Sequence, residues 1–388
     1  MSAASVVHII DHMGLGGAQR LLADIAPRQA QRGRPVAVVV LRGPTPLSQV
    51  LAANGVAVYH LGLHKWDPRQ ATSLYSLLRS LRPAVVHTHL TLSNLLGRIA
   101  AAMAGVEHVV IHDHEASIEI YTNPAPLLAV RRLVETRLPP RQTRYIVISR
   151  SAAAYAMEVR GWPEVQTQLI FNGVDVARQA VGWLTPSEAR ATLGLPQDNV
   201  LIACCGRLHP QKRIDVLLTA LSLLEPRFHA AIAGDGPLAG ELQALARRLG
   251  VEERVHFLGH MQDVRPVLWA SDLYMQPSDR EPFGLAAAEA AVNRLPVIAS
   301  AVDGLRDVVQ HGETGLLVPP GCPEAFAEAA ARLAADPALA QKYGEAGRRR
   351  TVQLFSIEHM VERIDLVYDN LLGVPGICPT TTSGAISR

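Results

Sequence analysis

Short apolar, β-branched runs recur along this chain, separated by stretches of helical periodicity, and that alternation restricts the fold more than any other feature. Residues 6–10, 36–41, 84–89, 109–112 and 145–149 read as buried strands. Most of the spacers between them, such as 18–32 and 92–103, repeat apolar residues at helical spacing. Strands that are apolar throughout need cover on both faces, so the expectation is a parallel sheet with helices on each side. The pattern restarts after residue 198, with strands expected at 200–205, 230–233, 255–258, 273–276 and 297–300. A chain of 388 residues is too long for one ordinary core, so two doubly wound α/β domains are expected.

The polar stretch 176–199, which contains Pro and Gly, separates the two halves. The expected partition is a Rossmann-like first domain over 1–178, a linker over 179–198 and a Rossmann-like second domain over 199–355. A helix over 356–373 is expected to pack back on the first domain, and the Thr/Ser-rich tail 374–388 to be disordered. Ligands of such sheets bind beyond the carboxyl ends of the strands, so a cleft between facing domains is the expected site.

Hydrophobic residues make up 48% of the chain and charged residues 19%, which excludes a disordered or fibrous protein. The net charge of +2 hides an asymmetry: residues 1–178 carry 18 basic against 11 acidic side chains, and residues 179–388 carry 19 against 24. An anionic partner or membrane surface is therefore expected at the first half, and no nucleic acid. The basic stretch 124–144 holds Arg131, Arg132, Arg137, Arg141 and Arg144 against Glu135 alone. It reads either as an amphipathic segment lying on anionic lipid or as a solvated helix face. Four cysteines without a C-x-x-C pair fit a reducing compartment, and no apolar run approaches the ~18 residues needed to span a bilayer. The expected location is cytoplasmic, with peripheral contact at the inner face of the membrane.

Several clusters could carry chemistry. Glu281-Pro282-Phe283-Gly284 runs into an Ala-rich helical stretch, 285–292, that places Glu289 about one turn in. The amides of residues 283–285 would lack intrahelical partners and form an anion site flanked by two carboxylates. That combination suits a ligand with a phosphate and several hydroxyls, such as a nucleotide sugar. Gly206-Arg207-Leu208 with Lys212-Arg213 leaves a strand end carrying cations that could meet a diphosphate. Gly14-Leu15-Gly16-Gly17-Ala18-Gln19 opens the first helix as a phosphate or acceptor loop, or as a tight turn without a ligand. An NAD(P) dehydrogenase would want a glycine where Gln19 stands and an acidic residue near Arg42. His87-Thr88-His89 and His112-Asp113-His114-Glu115 end two strands. Substrate hydrogen bonding by His89 is preferred there to a metal site. Asp235, between two glycines, reads as turn chemistry.

Taken in order, these motifs resemble the retaining glycosyltransferases of family 4, which have the two-domain GT-B fold. The resemblance runs from Gly16-Gly17-Ala18-Gln19 through His87-Thr88-His89, Ile170-Phe171-Asn172-Gly173-Val174-Asp175, Gly206-Arg207-Leu208, Ala233-Gly234-Asp235-Gly236-Pro237, Phe257-Leu258-Gly259 and Ala270-Ser271-Asp272. It continues through Glu281-Pro282-Phe283-Gly284 with Glu289 to Gly312-Glu313-Thr314-Gly315-Leu316-Leu317-Val318. It implies that Glu281 contacts the donor sugar, that the amides of Phe283, Gly284 and Leu285 contact sugar and phosphate, and that Glu289 holds the ribose. Arg207 and Lys212 would neutralise the diphosphate, Gly16 and Gly17 approach the phosphate or acceptor, and a histidine at or near His89 lie by the reacting carbon. The implied reaction moves a sugar from a UDP- or GDP-sugar to a lipid-linked, lipopolysaccharide or exopolysaccharide-type acceptor, with retention and without metal or other cofactor. Arg213 departs from the small residue frequent there. A sugar-nucleotide epimerase of the same fold is the alternative reading, with a dehydrogenase or a non-catalytic binding protein behind it.

Overall fold

The structure is a computed structural model, and it describes residues 6–14, 16–64, 67–114, 126, 129–130, 133 and 142–374. Thirteen strands among these form two sheets. The first contains β1 (Val6–Ile10), β2 (Val36–Val40), β3 (Ala57–His60), β4 (Val85–His89), β5 (His108–Asp113), β6 (Gln142–Val147) and β7 (Thr167–Leu169). Its order is β3-β2-β1-β4-β5-β6-β7, and β1 pairs in parallel with both β2 and β4. The second contains β8 (Val200–Cys205), β9 (Phe228–Ala233), β10 (Val255–Gly259), β11 (Leu273–Gln276), β12 (Val297–Ser300) and β13 (Gly315–Val318). Its order is β10-β9-β8-β11-β12-β13, and every neighbouring pair is parallel.

The ten expected strands are all present, each within a few residues of its expected bounds. Three more strands were not anticipated, namely β3, β7 and β13. β3 and β7 lie at a sheet edge, where their residues are exposed or only half-buried, so they lack the continuous apolar run that marks β1 and β2. β13, also at a sheet edge, coincides with the end of the Gly312–Val318 motif.

By contacts, the chain divides into two compact units. One comprises residues 1–112, 129–146 and 361–388, and the other 113–128 and 147–360. The units do not coincide with the expected partition. Residues 147–178 belong with the second unit, and the stretch expected to be a linker carries the helix Pro186–Leu193. That helix is closed at its start by a Thr185/Glu188 capping box and at its end by Gly194 in the left-handed region. The helix Ile357–Leu372 enters the first unit at Val361, where Arg34 meets Asp365 at 3.1 Å and Asp369 at 2.7 Å. Most of the basic stretch 124–144 and the tail after Val374 lie outside the described residues.

In the second unit, Ile202, Leu217, Phe228, Ile232, Met275 and Phe326 belong to one core cluster, and Tyr274, Phe283, Ala287, Leu305 and Phe355 to another. Strand order reverses between β8 and β11, so the loops leaving these two strands stand side by side. In open α/β sheets that crevice is the ligand-binding position.

Candidate active site

The loop leaving β8 is built backbone against backbone. Gly206 donates its N–H to Ala233 O (2.9 Å) and Leu208 donates to Asp235 O (3.0 Å). A Cβ on Gly234 would lie 1.8 Å from Gly206 O, and one on Gly236 would lie 2.4 Å from Leu208 O. These glycines are therefore required by the close approach of two main chains. The side chain of Asp235 accepts from Gly236 N–H, as its turn reading anticipates. The single 3₁₀ turn Pro210–Lys212 then leads through Arg213, at φ +49°, into the helix Ile214–Ser222.

The loop leaving β11 is laced to this turn. Asp279 N–H donates to Gln211 O, and Gln211 Nε2 donates to Arg280 O (2.8 Å). Lys212 and Glu281 consequently meet, with Nζ 2.5 Å from Oε2. The same carboxylate oxygen accepts from Gln276 Nε2 (2.6 Å) and Ser278 Oγ (3.3 Å). The main chain of Glu281 is clamped as well. Its N–H donates to Asp303 Oδ2 (3.1 Å), and its carbonyl accepts from Gly304 N–H (3.0 Å). Gly304 has no room for a Cβ, which would sit 2.4 Å from Phe283 Cα.

The sequence assigned Lys212 and Glu281 to different parts of a ligand, whereas in this structure they form one ion pair. The guanidinium of Arg213, about a third exposed, is held by Asp215 (3.0 Å) and Asp279 (2.9 Å). Arg207 is exposed at the same loop. Gln276, Ser278 and Asp303 were not identified from sequence. A polar residue ending an otherwise apolar buried strand was the available signal for Gln276.

Beyond Glu281, Gly284 takes φ +102° and the helix Leu285–Val292 begins. The aromatic ring of Phe283 is buried against Phe355 (centroids 5.4 Å apart) and Phe171 (6.1 Å). That anchoring fixes the direction of the helix start. First-turn amides of a helix have no intrahelical acceptor, so the main chain around Phe283, Gly284 and Leu285 presents donors and a positive dipole end. Glu289, half-buried, is the fifth residue of the helix. Arg207, Lys212, Glu281, Phe283, Gly284, Leu285 and Glu289 thus all lie in the second unit, around the β8/β11 crevice.

The remaining expected residues lie in the first unit. Gly16 and Gly17 are exposed at the start of the helix Gly17–Gln31. A Cβ on Gly16 would press within 2.2 Å of Gln19 Oε1. His89 is fully buried and not on an open strand end. Parallel register sets His8 beside His87, and His87 stacks on His89 with centroids 4.3 Å apart. His8 Nδ1 is hydrogen-bonded to His89 Nε2 (2.9 Å) and its Nε2 to Gln29 Oε1 (2.9 Å), while His87 Nδ1 meets Tyr368 OH. Burial pushes His8 down to about 4, so its imidazole is neutral near pH 7.

The rings of His8, His87 and His89 lie within 36° of parallel. One ring nitrogen from each of His8, His87 and His89 lies within 4.8 Å of the others, as does one from each of His89, His112 and His114, so either group could hold a metal ion. The imidazoles of the first group are stacked and hydrogen-bonded. In the second motif, Asp113 is taken up by a buried ion pair with Arg160, and burial lowers His114 to about 4.

Comparison with known proteins matches both halves of the chain. Residues 15–178 match the model of Glycosyltransferase Family 4, and residues 187–350 match that of the Glycosyl transferases group 1. A D-inositol 3-phosphate glycosyltransferase of Saccharomonospora viridis is 30% identical over 91% of this chain and 89% of its own length. A lipopolysaccharide core biosynthesis mannosyltransferase of Rhizobium leguminosarum is 31% identical over 67% of this chain and 77% of its own. The structure of Anabaena HepE in complex with UDP superimposes with a TM-score of 0.83 at 23% identity, covering 94% of this chain and all of that one. HepE has also been solved with UDP-glucose. With two parallel α/β sheets of GT-B type and family matches across both halves, the chain belongs to the family 4 glycosyltransferases.

Proposed function

We propose that the protein moves a sugar from a nucleoside-diphosphate sugar, UDP- or GDP-linked, to a hydroxyl of a glycan or lipid-linked acceptor of lipopolysaccharide or exopolysaccharide type, retaining the anomeric configuration. The observation that carries this reading is the Lys212–Glu281 pair in the β8/β11 crevice, beside the start of the helix Leu285–Val292. Similarity to a mannosyltransferase and to HepE, which binds UDP-glucose, supports it.

The charges dictate the division of labour. As the bond between the sugar C1 and the diphosphate oxygen breaks, negative charge grows on the leaving group. Arg207, the ammonium of Lys212 and the helix-start amides supply donors that need no reorganisation at that moment. Lysine carries three N–H donors, so Lys212 can keep its bond to Glu281 while serving a phosphate oxygen. Glu281 accepts from sugar hydroxyls, and Glu289 from the ribose. In this reading no metal takes part. Gly16 and Gly17 approach the phosphate or acceptor. His89 Nε2 is engaged by His8. No helix among the described residues is long and apolar enough to cross a membrane. We place the protein in the cytoplasm, meeting a lipid-linked acceptor at the inner face of the membrane through 124–144.

A thermal-shift panel of UDP, GDP, ADP, CMP, NAD and NADP on the wild type and Glu289→Ala tests this. A ligand at 100 times its Kd stabilises the folded state by ~2.7 kcal/mol. Stabilisation by one nucleoside diphosphate, lost in Glu289→Ala, is the expected result. A shift with NAD or NADP alone would overturn the reading.

A further inference from the structure

Strand β11 reads Leu273-Tyr274-Met275-Gln276, and all four residues are buried. Two of them nevertheless carry polar groups, and by the period-2 rule Tyr274 and Gln276 share a face. A buried amide left without partners costs ~1–3 kcal/mol, so leucine would be the cheaper residue at position 276 unless the amide has a task. Its bonds show the task. Gln276 Nε2 donates to Glu281 Oε2 at 2.6 Å. Gln276 Oε1 accepts from Tyr274 O–H at 3.2 Å, and the same hydroxyl reaches Cys205 O at 3.4 Å. The chemistry fixes the orientation of the amide. An ionised carboxylate only accepts, so NH₂ must face Glu281 and the carbonyl must face the phenol. Burial holds the Tyr274 phenol well above its usual pKa, so it stays protonated and able to donate.

All three donors to the Glu281 carboxylate, from Lys212, Gln276 and Ser278, converge on Oε2. Oε1 accepts none of these bonds and is left for a ligand. Of the three, Lys212 is on a mobile four-carbon stem and Ser278 is distant at 3.3 Å. The short bond from a residue locked in the sheet is the one from Gln276. We infer that Gln276, steadied by Tyr274, is a positioning residue of the donor site that fixes the rotamer of Glu281 and thereby the grip on the donor sugar. This inference rests on the reading of Glu281 as the sugar ligand given above.

The effect is confined to the sugar. Arg207, Lys212 and Glu289 hold the diphosphate and nucleoside, and Gln276 touches neither group. Calorimetric titration of UDP, UDP-glucose, GDP and GDP-mannose against the wild type, Glu281→Gln, Gln276→Leu and Tyr274→Phe tests this without an acceptor. Gln276→Leu is expected to weaken the nucleotide sugar about 10- to 100-fold, the worth of one buried hydrogen bond to a charged group, and to leave the free diphosphate unchanged. Tyr274→Phe is expected to weaken it less, and to have no effect when added to Gln276→Leu, because it acts through the amide. Equal weakening of sugar nucleotide and free diphosphate by Gln276→Leu would overturn the inference, as would additive losses in the double variant. If Glu281→Gln binds all four ligands like the wild type, or the wild type binds none, the donor-site reading falls and this inference with it. If Glu281→Gln loses sugar-nucleotide affinity while Gln276→Leu does not, the inference alone falls.

Discussion

Lys212→Ala separates two roles that one ammonium combines in this site. At rest the lysine neutralises Glu281, and in the proposed reaction it also meets a leaving diphosphate. Its side chain is 19% exposed and that of Glu281 11%, so the pair is neither a surface bridge nor fully dry. Breaking such a pair should cost more than the ~0–1 kcal/mol of an exposed bridge and less than the ~3–5 kcal/mol of a buried one. Gln276 and Ser278 still donate to the remaining carboxylate. We therefore expect a loss near ~1–2 kcal/mol, a shift of a few degrees in Tm for a unit of this size. The kinetic loss should be larger. Removing one preorganised donor from a developing oxyanion costs ~100- to 1,000-fold in kcat. Release of nucleoside diphosphate at saturating donor, followed alongside a melt, measures both quantities. A folded variant with unchanged kcat would show that Lys212 only supports Glu281, and the leaving-group role would be refuted.

His8 should cost stability in mild acid. Burial lowers the pKa of His8 to about 4, below its unfolded value, so the native state favours the neutral ring. Its contribution is fully present above the unfolded pKa and is lost by ~1.4 kcal/mol per pH unit as pH falls from about 6.5 toward 4. His114 behaves the same way. Buried Asp11, whose pKa is raised, acts in the opposite direction, so the test is a comparison: urea midpoints between pH 7 and 5 should decline more steeply in the wild type than in His8→Asn, and equal slopes would contradict the burial of His8. Gly234→Ala should destabilise by ~2–6 kcal/mol through overpacking and backbone strain, since its Cβ would meet Gly206 O at 1.8 Å with φ at +154°. Gly240→Ala, in a helix with nothing within 4 Å, should be neutral or stabilising, and similar losses at both glycines in urea melts would contradict the close-approach argument. Transferase turnover should survive excess EDTA. Loss that manganese restores would replace the Arg207/Lys212 account with a metal-assisted one.

Much of the architecture was legible because a strand buried on both faces must be apolar along its whole length. Val6–Ile10 and Val36–Val40 carry that mark and were placed to within one residue. β3 does not carry it, since an edge strand needs burial on neither face and its residues obey no strict rule. The helix Leu285–Val292 and its Phe-Gly entry were equally readable, because a glycine at φ +102° and an Ala-rich run are local signals. The linker reading of 179–198 rested on composition, yet a capping box and a left-handed Gly194 make a helix of part of it.

By itself, then, the chain determined two parallel α/β sheets, the loops that leave β8 and β11, and the residue types gathered in those loops. These follow from local periodicity and turn chemistry, which act over a few residues. Tertiary structure decided which of those residues meet. Lys212 and Glu281 are 69 residues apart in sequence and 2.5 Å apart in space, because strand order reverses between β8 and β11. The same holds for His8 and His89, joined across 81 residues by the register of β1 on β4. Register and strand order are settled by the packing of whole sheets. No short stretch of residues encodes them, and so the sequence could offer candidate residues loop by loop without showing which of them meet.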